Sequence, residues 1–195
     1  MEDFETGYFC GSNRNQQKVR KKMYEYEKAV LSKSKHKICG LWFCEIADNK
    51  KEIIREQAVD KIENEILNGR QTFALPFLGF GNTLAFEIAM ELRNKHYLSL
   101  IGVLPYPSFI SSLPCPEKEF WQKAYAATDW CITADQEPCQ TRDEIYRKCA
   151  KGLVSACKQF IIGYTGMPNM PTFEFIQAAQ KEPLAFSGYI TDLGK

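Results

Sequence analysis

The stretch FALPFLGFGNTLAFEIAMEL, Phe73 to Leu92, decides the fold. It opens as an apolar run of strand length and passes Gly79 and Gly81. It then continues as a nearly all-apolar segment long enough for a helix. Strand, glycine turn and helix in that order make the first part of a β–α–β unit. Laid out at about 100° per residue, Leu84, Ala85, Phe86, Ile88, Ala89, Met90 and Leu92 cover most of the circumference, which predicts a largely buried helix. Glu87, Glu91 and Asn94 share the narrow polar stripe that remains.

The same alternation extends in both directions. Upstream, ICGLWFC (38–44) is a compact run suited to a strand covered on both faces. Ile54, Ala58, Ile62 and Ile66 then recur at four-residue steps, predicting a helix that Asp48 or Asn49 caps and Gly69 ends. Downstream, LSLIGVLPY (98–106) is a strand closed by Pro105, and PEKEFWQKAYAAT (116–128) a helix. WCIT (130–133) is a short strand, and TRDEIYRKCAKGLVSAC (141–157) a helix with Ile145, Cys149 and Val154 on or near its inner face. QFIIGYTG (159–166), TFEFIQAAQKE (172–182) and LAFSGYIT (184–191) read as strand, helix and last strand. Strands separated by helices of this length pair in parallel through right-handed crossovers. The predicted fold is an open α/β sheet, doubly wound and mostly parallel, with helices on both faces. Trp42, Trp121 and Trp130 fall in its elements and are expected to pack in the core. Residues 38–195 form this domain. Residues 1–37 read as an N-terminal extension, a basic, Tyr-bearing helix packed on the domain with GYFC (7–10) as an added edge strand.

A chain of 195 residues can bury one substantial core without disulfides or metals. Lys+Arg 25 against Asp+Glu 24 leaves a net charge of +1, which argues against nucleic acid or a membrane surface as partner. No apolar run approaches a membrane span. The opening MEDFETGYFCGSNRN lacks the basic and apolar regions of a signal peptide, so a cytoplasmic location is expected. Cys10, Cys39, Cys44, Cys115, Cys131, Cys139, Cys149 and Cys157 form no C-x-x-C pair and read as free thiols, mostly small core hydrophobes. His36, Cys39 and Cys44, with Cys10 as a remote fourth, make the nearest metal set. Half of it falls in a strand, so neither a metal nor a cofactor is expected.

In open α/β sheets, ligands bind outside the carboxyl ends of the strands, where helix N-termini offer unpaired N–H groups to anions. Gly79 and Gly81 let the backbone approach a ligand or take a positive φ, and Asn82 or Thr83 is expected to cap the helix. Glu87 reads in two ways, as a surface acid complementing the helix dipole or as a carboxylate at the pocket mouth. Tyr106 and Ser108 follow a strand end and are placed to line the crevice.

The segment ILNGRQTFALPFLGFGNTLAFEIAMELRNKHYLSLIGVLPY (66–106) resembles YpsA-type proteins of the SLOG superfamily, which includes the Lonely Guy cytokinin-activating enzymes and the DprA/Smf proteins. Gly69, Phe73, Gly79, Gly81, Ala85, Glu87, Pro105 and Tyr106 carry the match. KGLVSACKQFIIGYTG (151–166) is similar to a later helix and a strand ending at Tyr164 and Gly166. The resemblance implies a Rossmann-like fold with a pocket for nucleotides or nucleotide-derived ligands. It places ligand-binding roles on Gly79, Gly81, Asn82, Thr83, Tyr106, Arg142, Gly166 and Thr172, and a catalytic role on Glu87. Lonely Guy members cleave the N-glycosidic bond of a nucleoside monophosphate with a P-G-G-x-G-T turn, a nearby Glu and an Arg. Here the family's paired glycines are Phe77 and Leu78, expected to fill the space of a ligand's phosphate. The late glycine turn is MPNMPT (167–172), which keeps only Thr172. The expected R-N pair falls near Cys149 and Ala150, with Arg142 and Arg147 close in sequence.

The leading expectation is a protein that binds a small, nucleotide-like or other polar ligand at the strand–glycine–helix crevice. One alternative is a Lonely Guy-type hydrolase using Glu87 with Arg142 or Arg147. The other is a degenerate, non-catalytic interaction protein docking through residues 15–37 or associating as a homo-oligomer.

Overall fold

The computed structural model describes residues 37–43, 46, 48–164, 171–172, 175 and 185–191. The expected extension up to residue 36 and most of the expected helix 172–182 lie outside them. The elements are β1 (Ile38–Phe43), a 3-10 turn (Asp48–Lys50), α1 (Lys51–Leu67), β2 (Thr72–Pro76), α2 (Phe80–His96) and β3 (Ser99–Leu104). There follow α3 (Phe109–Ser112), α4 (Glu117–Ala127), β4 (Trp130–Thr133), α5 (Arg142–Ala156), β5 (Gln159–Tyr164) and β6 (Ala185–Thr191).

The six strands lie in the order β4-β3-β2-β1-β5-β6, and every pairing is parallel. This is the Rossmann-like α/β fold expected from the alternation. From β1 the chain steps outward through β2 and β3 to β4. Helix α5 then carries it back across the sheet to β5, on the other side of β1. Right-handed crossovers put α1, α2 and α4 on one face and α5 on the other. The connections diverge between β1 and β5, so the crevice of a doubly wound sheet opens at the carboxyl ends of the central strands.

β1 is buried along its whole length, because it is central and covered on both faces. Its Trp42 lies opposite Ile162 of β5 and stacks on Phe175 at 4.9 Å. On the face of α2 and α4, Phe77 lies over Gly102, where a Cβ would come within 2.4 Å of the ring. Phe77 also stacks on Trp121 at 5.1 Å. Ile54, Ala58 and Ile62 bury the expected stripe of α1, and Gly69 ends that helix at φ +83.

Three expectations need correction. Asp48 and Asn49 form a 3-10 turn ahead of α1 and do not cap it; Lys50 holds the N-cap position without a side-chain bond. α2 begins at Phe80, earlier than a cap at Asn82 or Thr83 requires. Trp130 is 59% exposed, because it starts the strand at the edge of the sheet among the described residues.

Candidate functional site

A cavity of about 570 Å³ opens at this carboxyl edge. Four segments reach it. Ile46 follows β1, and Leu78, Gly79 and Phe80 form the turn between β2 and α2. Phe109, Leu113 and Glu117 come from α3 and the start of α4, and Arg142, Ile145 and Tyr146 from the first two turns of α5. The volume suits a small organic ligand, and among the described residues the lining is apolar apart from Arg142, Glu117, the Tyr146 hydroxyl and the turn backbone.

The turn is built by two residues with opposite tasks. Gly79 sits at φ +74, a conformation that side-chain-bearing residues rarely adopt, and holds the N-cap position of α2 without a capping side chain. The first N–H groups of a helix have no acceptor within it, so this terminus offers donors and positive potential at the cavity. Asn82, fully buried, ties the turn to β1. Its Oδ1 accepts the Phe43 N–H at 2.8 Å, and its Nδ2 donates to the Leu78 carbonyl at 2.8 Å.

The opposite wall is Tyr146 and Arg142. A Cβ on Gly79 would stand 3.2 Å from the Tyr146 hydroxyl, so the glycine and the phenol meet directly. The Arg142 guanidinium lies 5.5 Å from the centre of the Tyr146 ring, and its Nη2 donates to the hydroxyl at 3.4 Å. Behind Tyr146, the edge of the Trp42 indole closes the wall at 6.5 Å.

Of the residues singled out in the sequence, Gly79 and Arg142 line the cavity together. Gly81 is buried in the first turn of α2, and Asn82 is engaged as described. The Thr83 hydroxyl donates to the Phe80 carbonyl at 2.6 Å. Glu87 is exposed and does not line the cavity. Tyr106 is buried, shares a hydrogen bond with the Ser112 hydroxyl at 3.1 Å, and supports Phe109 at 5.5 Å without reaching the cavity. Thr172 is buried, and Gly166 lies outside the described residues. The expectation that Phe77 and Leu78 obstruct the crevice is overturned for Phe77. Its ring turns into the core against Trp121 and Phe86, while Leu78 faces the cavity as part of its wall.

Sequence reasoning missed Ile46, Phe80, Phe109, Leu113, Glu117 and Tyr146, and read Ile145 only as an inner-face residue. Phe80 is the most informative of these. It is a phenylalanine 80% exposed, beside the turn glycine and at the cavity mouth. Its position between Gly79 and Gly81 was the available signal, since an apolar residue in a polar-favouring turn position lacks a core role.

Among the described residues, no histidine or cysteine lines the cavity. Burial pushes the thiols of Cys39, Cys131 and Cys139 up, away from the thiolate form that nucleophilic chemistry needs. Among the described residues no cluster of three His, Cys, Asp or Glu is placed to hold a metal ion, and no helix is long and apolar enough to cross a membrane.

No family model and no curated protein matches this sequence. The fold is similar to that of DNA processing protein A (DprA) from Streptococcus pneumoniae. The TM-score is 0.54 at 11% identity, covering 81% of this chain and 51% of the DprA chain. This chain thus spans about half of that protein's length. At such low identity the likeness concerns the fold, a Rossmann-like sheet related to that of DprA.

Proposed function

We propose that this is a cytoplasmic protein that binds a small, nucleotide-like ligand at the carboxyl edge of its sheet. In this reading an anionic group of the ligand sits between the open terminus of α2 and Arg142. Its flat portion lies along Phe80, Leu78 and Ile145. The observation that carries the reading is the approach of Gly79 to Tyr146, which brings a helix N-terminus and an arginine to one cavity. The motif resemblance to YpsA-type SLOG proteins supports the nucleotide-like class, and the exposed aromatic ring at the mouth suits a stacked base.

Thermal denaturation with AMP, ribose 5-phosphate and ADP-ribose tests the proposal. A ligand at about 100 times its Kd contributes about 2.7 kcal/mol, a rise of roughly 5–10 °C in Tm for a chain of this size. Arg142→Ala should abolish the rise, measured against the melting of the unliganded variant. Unchanged melting with all three compounds would overturn the assignment.

A further inference from the structure

We infer that Glu117, not Glu87, is the carboxylate of this site, and that it reads a pair of adjacent hydroxyl groups on the ligand. The inference rests on the binding proposal above and sharpens it to a ligand carrying both an anion and a vicinal diol.

Among the described residues, Glu117 is the sole acidic side chain lining the cavity. It stands in the first turn of α4, half-buried among apolar neighbours that include Phe109 and Leu113. Two other carboxylates near α5 are already engaged. Asp135 and Glu144 both reach the Lys148 ammonium, at 3.0 and 3.3 Å. Glu117 makes no hydrogen bond or ion pair with any described residue. An ionised carboxylate only accepts, and its two oxygens match two donors side by side. On an apolar wall it gains from donors that a ligand brings, because water there is partly displaced.

Two classes of ligand group supply such donors, an ammonium and a diol. The positive end of α4 lies at Glu117 itself, and the Arg142 guanidinium shares the cavity. Both disfavour a second full cation and leave neutral hydroxyls as the better partner. The cavity thereby has two poles, with the anion at Arg142 and the α2 terminus and the diol at Glu117.

Calorimetric titration of the full chain with AMP and with 2′,3′-dideoxyadenosine monophosphate, which lacks only the diol, decides the matter. The wild-type protein should bind AMP at least about 10-fold more tightly, the scale of hydrogen bonds to a charged group. Glu117→Gln should bind both compounds with the weaker affinity, and Arg142→Ala should weaken both by one common factor. Equal binding of the two compounds by the wild-type protein, or a preference for AMP that survives in Glu117→Gln, overturns the role of Glu117 and leaves the site standing. Absence of binding by either compound overturns the site and this inference together.

Discussion

Of the helices that begin at the cavity, α2 and α5 finish their first turns in opposite ways. At α5, the Thr141 hydroxyl accepts the Glu144 N–H at 3.2 Å, and the Glu144 carboxylate accepts the Gln140 N–H at 2.9 Å. These two bonds satisfy the terminus from within the chain in the manner of a capping box, with the Glu144 carboxylate reaching one residue further back. At α2 the N-cap is a glycine, and no side chain caps the turn. The closed terminus delivers a side chain, Arg142, to the cavity. The open one delivers backbone donors. The difference shows that one carboxyl edge can carry both kinds of terminus, and in the proposed site the closed one aims a charge while the open one is left for the ligand to complete.

The largest effect should come from the residue that anchors the open terminus. Asn82→Ala leaves the Phe43 N–H buried without its acceptor and frees the Leu78 carbonyl, costing about 3 kcal/mol in urea denaturation. A loss below about 1 kcal/mol would show that the turn does not depend on this link. Gly79→Ala comes next. The backbone at φ +74 and the nearby Tyr146 hydroxyl oppose a Cβ, with an expected cost of about 1–3 kcal/mol and loss of AMP binding. If the variant keeps full affinity, the open terminus is not part of the site.

Thr141→Ala probes the closed terminus. It should cost about 1 kcal/mol of stability with AMP affinity retained, and a large fall in affinity would erase the contrast between the two helices. The acid limb of stability provides a smaller effect. The Lys148 ammonium holds the Asp135 carboxyl below its ordinary value, and the Gln140 N–H, followed by Lys148, does the same for Glu144. A carboxylate with a lowered folded-state pKa contributes stability above the ordinary carboxylate range, and that contribution fades as pH falls through the lower value. Lys148→Met should therefore narrow the gap in Tm between about pH 6 and about pH 3. An unchanged gap would show these pairs to be inert. Glu87→Ala, on the exposed side of α2, should alter neither stability nor AMP binding measurably.

The strands were legible because their apolar runs are short, separate and bounded by turn residues. ICGLWF ends one residue short of its expected run, and SLIGVL lies inside the expected LSLIGVLPY, one residue late at its start and two short at its end. The glycine at position 79 and the arginine at 142 were legible as well, one by its turn and one by the motif resemblance. Glu87 misled because α2 begins at Phe80, which sets Glu87 about two turns along the helix from the glycine turn, at an exposed position. Phe77 misled for a similar reason. Successive residues of an extended segment point to opposite sides, so a bulky residue ahead of the turn fills the core while its neighbour Leu78 meets the cavity.

The sequence by itself determined the alternation of strands and helices, and with it a parallel sheet, because hydrophobic period and turn residues are local properties. Only the tertiary structure decided which side chains share the cavity. Phe80, Glu117 and Arg142 come from three separate crossovers, and no spacing along the chain encodes their meeting. That meeting depends on strand order, on which side of β1 the chain places β5, and on which face each crossover helix takes. Those are decided by packing among residues far apart in the chain.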